Sequence, residues 1–221
     1  MNNSIDTTSV LIDTKDKIGY LFFKRLFDIL ASIIGLIMLI PIAVIIKICY
    51  LFSRDTKSIF YSQERIGKNG KTFRLYKFRS MVPNADQILK DILKDPKMRK
   101  EWDKNQKFDN DKRLTKVGKI IRKTSIDELP QMINILKGDM SLIGPRPLVK
   151  GELQKHKGDH ELYESVKPGI TGWWACNGRS ATTYKERLKL EYYYVKNQSL
   201  SLDMKCIFLT IVAVFKKTGA K

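Results

Sequence analysis

Two adjacent carboxylates, Asp127 and Glu128, stand among cations near the middle of the chain. Arg122 precedes the pair, and Arg146 follows it between two prolines. Phosphoryl transfer needs this mixture, because cations hold the oxygens of the transferring group while carboxylates hold Mg²⁺ or attack phosphorus. An isolated acidic pair is more often a solvated helix cap, and that interpretation is the alternative. The surrounding cations favour a phosphoryl-transfer site.

The residues around the acid pair predict the start of a helix, since an apolar run with helical spacing follows it. Ser125 and Glu128 match the S-x-x-E capping box, which would place Asp127 in the first turn. Pro130 lies too deep for that helix, whereas a helix capped by Asp127 itself would hold Pro130 in its first turn. In both versions, free N–H groups and the helix dipole would keep a carboxylate ionised and attract a phosphate.

A second group of cations follows a predicted β-hairpin. Residues 59–61 and 73–76 are β-prone, and Asn69-Gly70 between them is a strong turn signal. Alternation along the second strand would put Lys77 and Arg79 on one face. That face could bind phosphates or could simply be a cationic surface.

Composition limits the class of partner. The chain has 221 residues and a formal net charge of +18, which requires an anionic partner such as nucleic acid, a membrane surface or phosphorylated substrates. Three scattered cysteines predict neither a disulfide framework nor a zinc site. His156 and His160 are spaced to face one metal ion, but no third ligand is evident.

The N-terminal third predicts a membrane segment. Residues 29–46 are apolar apart from one serine and would reach about 27 Å as a helix, against a bilayer core of about 30 Å. Pro41 would interrupt the helix, and cations flank both ends, so charge gives no direction for a crossing. A helix that enters, bends at Pro41 and returns to the same side fits these facts; a plain single span is the alternative.

The remaining segments complete a fold that is mostly α with a small β-hairpin (α+β). Residues 86–99 predict an amphipathic helix divided at Asp95-Pro96, and residues 202–215 predict an interfacial or buried helix. Gly-rich residues 167–179 contain Trp173 and Trp174, which could stack a base, sit at a membrane interface or fill core. We therefore expect a disordered tail (1–18), a re-entrant membrane helix (19–54) and a catalytic domain (55–221).

Taken together, the motifs resemble those of the bacterial sugar transferase family, the monotopic polyprenyl-phosphate phosphoglycosyl transferases, in its minimal form. The resemblance covers roughly residues 23–217. The motifs that carry it are Lys24-Arg25-x-x-Asp28, Gln63-x-Arg65-x-Gly67, Tyr76-Lys77-Phe78-Arg79-Ser80-Met81, Ser125-x-Asp127-Glu128-Leu129-Pro130-Gln131, Asn134-x-Leu136-Lys137-Gly138-Asp139-Met140-Ser141, Gly144-Pro145-Arg146-Pro147 and Pro168-Gly169-Ile170-Thr171-Gly172-Trp173.

The resemblance implies transfer of a sugar-1-phosphate from a UDP-sugar to undecaprenyl phosphate, with Mg²⁺, at the cytoplasmic face of the bacterial inner membrane. Asp127 would be the nucleophile that forms an aspartyl-phosphosugar and releases UMP, and Glu128 would assist with Mg²⁺ or protons. The residues expected to hold phosphates or substrate are Lys77, Arg79, Arg122, Arg146, Arg179 and Glu191. The residues expected to set the membrane helix are Lys24, Arg25, Asp28 and Pro41. Nucleic acid is not an expected partner, and a homo-oligomer is left open.

Two departures from the family pattern, Ala175 where Gln is common and Glu191 where many members have Asp, affect the sugar or uridine region. The insertion at residues 95–113 resembles that of members using UDP-glucose or UDP-galactose. Two other functions remain as alternatives. A membrane-anchored module binding polyanions would leave Asp127 and Glu128 without a purpose, and an ordinary glycosyltransferase would release UDP and commonly carry a D-x-D motif.

Overall fold

A computed structural model describes residues 14–105, 108, 110–178 and 182–215. The helices are α1 (Thr14–Phe52), α2 (Ala85–Ile92), α3 (Pro96–Asn105), α4 (Lys116–Lys123), α5 (Gln131–Lys137), α6 (Glu152–Lys155), α7 (His160–Glu164), α8 (Trp173–Asn177), α9 (Tyr184–Lys196) and α10 (Leu200–Phe215). The strands are β1 (Phe60–Ile66), β2 (Thr72–Phe78), β3 (Ser141–Ile143) and β4 (Gly169–Thr171). A disordered tail was predicted for residues 1–18. Residues 1–13 lie outside the described residues, whereas residues 14–18 form the start of α1.

The predicted fold class is confirmed, since the structure is mostly α-helical with a small antiparallel hairpin. β1 pairs with β2 from Phe60 opposite Phe78 to Ile66 opposite Thr72, longer than the sequence predicted. Asn69 (φ 58°) and Gly70 (φ 71°) turn the chain between the strands in the left-handed region that these two residue types tolerate. The short parallel pair of β3 and β4 was not predicted, because three-residue strands show no readable alternation.

Helix α1 packs on the domain through one stripe of its surface. Asp28, Ser32, Leu39, Ile46 and Tyr50 recur at helical spacing and are buried, while most of the large apolar residues between them are exposed. A long apolar helix with this exposed surface fits a monotopic membrane anchor, and by length and composition it could also cross a bilayer. Its path relative to a bilayer stays a prediction.

The proline in α1 does not end the helix. Pro41 lies inside one helix that runs from Thr14 to Phe52. Pro41 lacks an N–H group, so the bond that would close on the carbonyl four residues earlier is absent, as the sequence predicted. The expected bend at this residue stays a prediction.

A charged turn near the start of α1 ties this helix to the rest of the domain. Arg25 donates from Nη1 to the Ile135 carbonyl (2.6 Å) and from Nη2 to the Leu136 carbonyl (2.8 Å), at the C-terminal end of α5. Asp28 accepts from the Leu142 backbone N–H (2.9 Å). We call Lys24, Arg25 and Asp28 the anchor turn.

Lys24 joins the anchor turn to the C-terminal helix. Its Nζ lies 2.8 Å from Asp203 Oδ2, and it also donates to Tyr194 Oη (3.1 Å). Asp203 and Tyr194 are buried. The anchor turn therefore contacts α5, β3, α9 and α10, and the membrane helix is part of the folded domain.

Helix α5 lies between α1 and the hairpin. At Gly35 of α1 a Cβ atom would stand 2.6 Å from Met132 Cγ, so any larger residue there would force the Met132 side chain to shift. Leu129 and Ile133 pack against the buried cluster that α1 forms with β2 and α4. The predicted helix at 86–99 is divided where expected, since α2 ends at Ile92 and α3 begins at Pro96.

Candidate active site

The acid pair lies in a 3-10 turn, Ile126–Glu128, between α4 and α5. The capping box is wrong: Ser125 makes no side-chain cap and has φ 57° and ψ 15°. An N-cap needs an extended backbone, whereas Ser125 takes the left-handed conformation that follows the end of α4. The version with Asp127 as the cap is also wrong, because α5 begins at Gln131 with Pro130 at its N-cap position.

Lys77 bridges the two carboxylates. Its Nζ lies 2.7 Å from Glu128 Oε1 and 4.0 Å from Asp127 Oδ2. Burial raises the pKa of Asp127, and the charge of Glu128 adds to the rise, while Lys77 and Arg122 oppose both. The two cations, with a smaller contribution from the backbone N–H of Asp127 itself, therefore favour the ionised form of Asp127.

A buried asparagine fixes the strand that carries Lys77. Asn134 of α5 accepts from the Tyr76 backbone N–H (3.0 Å) and donates to the Arg74 carbonyl (2.7 Å). These bonds attach the edge of β2 to the helix that follows the acid pair. This role of Asn134 was not predicted from the sequence, and the signal that could have indicated it is an amide inside an apolar helical run.

Arg122 and Arg79, two other cations expected to hold phosphates, differ in their contacts. Arg122 is exposed, donates from Nε to Ser80 Oγ (2.9 Å) and acts electrostatically on Asp127. Arg79 is buried, and each guanidinium nitrogen already donates to the protein, to Ser58 O, Met81 O and Asp55 Oδ2. These contacts give Arg79 a structural role and do not support its assignment to a phosphate.

The donor set of the acid pair suits a hard divalent cation. Mg²⁺ takes oxygen ligands and is commonly held by one or two carboxylates together with substrate phosphates and water. The described residues contain no group of three or more His, Cys, Asp or Glu side chains that could form an all-protein site. His156 and His160 do not share a site, because His156 stacks on Tyr184 (ring centroids 3.5 Å apart) and His160 contacts Glu164 (2.9 Å).

Arg146 and Glu191 belong to a second cluster. The Arg146 backbone N–H donates to Glu191 Oε1 (3.0 Å), and the Arg146 side chain is exposed. Glu191 is 1% exposed, and burial raises its pKa to about 7. Across the described ranges, no hydrogen bond or ion pair joins this cluster to Asp127. Arg179 lies outside the described residues, so its role stays a prediction.

The chain matches one protein-family model and several known proteins. The family model described as Bacterial sugar transferase matches residues 19–217. Undecaprenyl-phosphate galactose phosphotransferase of Salmonella typhimurium is 46% identical over 200 residues, which are 90% of this chain and 42% of that protein. UDP-galactose-lipid carrier transferase of Erwinia amylovora is 44% identical over 200 residues, with the same coverage of 90% and 42%.

A shorter relative is matched over most of its length. Exopolysaccharide production protein ExoY of Sinorhizobium fredii is 42% identical over 198 residues, which are 89% of this chain and 87% of that protein. The chain thus spans less than half the length of the two galactose-named relatives and nearly all of ExoY. The family match covers the hairpin, the acid pair and the Arg146 cluster, so this chain belongs to the bacterial sugar transferase family.

Proposed function

We propose that this protein transfers a sugar-1-phosphate from a UDP-sugar to undecaprenyl phosphate and releases UMP. One observation carries the proposal: Asp127 is buried beside Glu128, and Lys77 reaches both carboxylates. The relatives named as a galactose phosphotransferase and a lipid carrier transferase support this reaction class. In a bacterial cell the product would be the first lipid-linked sugar of a surface glycan.

The first step uses Asp127 as a nucleophile. An oxygen of its carboxylate forms a bond to the sugar-linked phosphorus of the UDP-sugar, and the bond from that phosphorus to the bridging oxygen breaks. The electron pair leaves with UMP, and an aspartyl-phosphosugar remains. Lys77 lies where it can offset negative charge on the transferring oxygens, and exposed Arg122 is close enough to contribute.

The second step regenerates the carboxylate. A phosphate oxygen of undecaprenyl phosphate attacks the same phosphorus, and the bond to Asp127 breaks. Two steps mean that donor and acceptor phosphates need not occupy the site together, which avoids their mutual repulsion. The products are UMP from the first step and a sugar diphosphate lipid from the second.

Asp127 and Glu128 are the residues that would hold Mg²⁺. When bound there, the ion would neutralise charge on the phosphate oxygens. Glu128 is half-buried and paired with Lys77, so the lysine limits the net negative charge of the acid pair.

We place the site at the cytoplasmic face of the inner membrane, reached by a re-entrant α1. The long exposed apolar surface of α1 supports membrane association. Single cysteines at Lys15 and Lys57, labelled with a membrane-impermeant thiol reagent in a background whose native cysteines are serine, test the path. Both cysteines should react only from the cytoplasmic side. Reaction of the two from opposite sides would show a crossing helix.

The reaction is tested by the nucleotide that appears. Purified protein in lipid nanodiscs is mixed with undecaprenyl phosphate, Mg²⁺ and, in parallel, UDP-glucose, UDP-galactose and UDP-N-acetylhexosamines. We expect UMP with a hexose donor, and none after EDTA. Residues 95–113 and the galactose-named relatives support a hexose-1-phosphate. UDP as the product would mean transfer of the sugar without its phosphate, and salt-sensitive polyanion binding without turnover would favour a binding module.

A further inference from the structure

The backbone of Arg146 is held at both of its polar groups. Its N–H donates to Glu191 Oε1 (3.0 Å), a side chain of α9. Its carbonyl accepts from Tyr163 Oη (2.9 Å), a side chain of α7. The two peptide groups on either side of the Arg146 Cα atom are therefore held by two helices that are distant in the sequence.

The residues on either side of Arg146 are also fixed. Both neighbours are prolines, Pro145 and Pro147, and the ring of each fixes its own φ angle. The Pro145 carbonyl accepts from the Gly169 N–H (2.8 Å), and the Pro147 carbonyl accepts from Arg65 Nη1 (3.3 Å). The chain thus presents an exposed guanidinium from a backbone that cannot easily move.

The two residues that hold Arg146 cannot themselves meet a ligand at the surface. Glu191 is 1% exposed and Tyr163 is 4% exposed. Tyr163 packs in a buried cluster with Leu148, Leu153 and Leu188. These side chains can therefore affect substrate only through a neighbour, and Arg146 is the exposed neighbour whose backbone they both bind.

We propose that Glu191 and Tyr163 are positioning residues that set the Arg146 guanidinium for contact with a phosphate or diphosphate group. This inference deepens the proposed function and rests on it for the identity of that group. It changes the role that the sequence assigned to Glu191, from contact with substrate to support of the residue that makes the contact. A guanidinium suits this task because its planar fork matches two phosphate oxygens.

The test uses pyrophosphate as the probe, with the full chain in nanodiscs and binding measured by titration calorimetry. Tyr163→Phe removes the bond to the Arg146 carbonyl and keeps the ring. We expect the affinity for pyrophosphate to fall about threefold, in the range of one lost hydrogen bond. Tyr192→Phe is the matched control, because Tyr192 packs against Tyr163 (ring centroids 6.3 Å apart) but its hydroxyl accepts from the Asp159 N–H.

The same change is then made in the Arg146→Ala background, which completes a double-mutant cycle. Arg146→Ala alone should lower the affinity at least tenfold, and Tyr163→Phe should then have no further effect. An equal loss in both backgrounds, a loss with Tyr192→Phe of the same size, or wild-type binding that does not depend on Arg146 would overturn the inference. Failure of UMP release alongside a coupled cycle would reject the proposed reaction and leave the positioning role standing.

Discussion

The anchor turn and the acid-pair cluster (Lys77, Arg122, Asp127 and Glu128) contain the same kinds of side chain and differ in what those side chains contact. In the anchor turn, Arg25 and Asp28 form direct hydrogen bonds to backbone groups of α5 and β3. In the acid-pair cluster, Asp127 is buried but accepts no hydrogen bond from another residue among those the structure describes.

The difference separates charge used for folding from charge kept for chemistry. A buried charge is stabilising when its partners satisfy it and costly when they do not. Natural proteins depart from full satisfaction mainly at functional sites. The carboxylate of Asp127, with its nearest cation 4.0 Å away, is such a departure.

The largest expected effect comes from Asp127→Asn. UMP release should fall at least a thousandfold, because the amide is not a nucleophile. Stability at pH 7 should be equal or higher. Folding raises the pKa of Asp127. The stability that this carboxyl group contributes is therefore present below its ordinary pKa and is lost as pH rises through its pKa in the folded protein. Turnover and thermal unfolding are measured on the same preparation, with exposed Asp91→Asn as the control.

The opposite pattern is expected for Arg25→Gln. Loss of two charge-assisted bonds to the end of α5 should lower the free energy of unfolding by about 2 to 3 kcal/mol. Turnover per folded molecule should stay within about twofold of wild type. Lys47→Gln is the control, since Lys47 makes one exposed bond to the Thr56 carbonyl (3.3 Å). Full stability together with lost turnover would place Arg25 in the chemistry.

A pH-dependent effect on stability, opposite in sign to that of Arg25→Gln, is expected for Glu191→Gln. Burial raises the pKa of Glu191 to about 7, against the Arg187 and Arg146 cations, the Arg146 N–H and Tyr163. Its contribution to stability is therefore present below about pH 4.5 and is lost as pH rises through 7. The glutamine variant lacks this loss. As pH rises from 4.5 through 7, its free energy of unfolding should therefore increase relative to that of wild type by up to about 3 kcal/mol.

Chemical unfolding of both proteins from pH 4.5 to 8.5 measures this difference. Glutamine can still accept from the Arg146 N–H, so the variant should keep its affinity for pyrophosphate. If the difference in the free energy of unfolding between the two proteins is the same at every pH, Glu191 does not titrate in this range.

The helices and strands were predicted from the sequence more accurately than the turns and contacts that connect them. The hairpin, the division at Pro96 and the apolar N-terminal helix follow from turn residues, proline and hydropathy, which act locally. The capping-box pattern did not reveal that Ser125 follows the end of α4, and the structural role of Arg79 depends on Asp55 and Ser58, more than 20 residues away in the chain. The grouping of Lys77 with the acid pair needs Asn134, whose bonds to β2 cross about 60 residues of chain.

Intact-protein mass spectrometry can show whether Asp127 carries the phosphosugar. The protein is mixed with Mg²⁺ and the active UDP-sugar without undecaprenyl phosphate, and quenched in acid. We expect an added mass of one sugar phosphate on wild type, located on Asp127 by peptide mapping and absent from Asp127→Asn. Rapid turnover with no adduct, or an adduct that persists in Asp127→Asn, would contradict it.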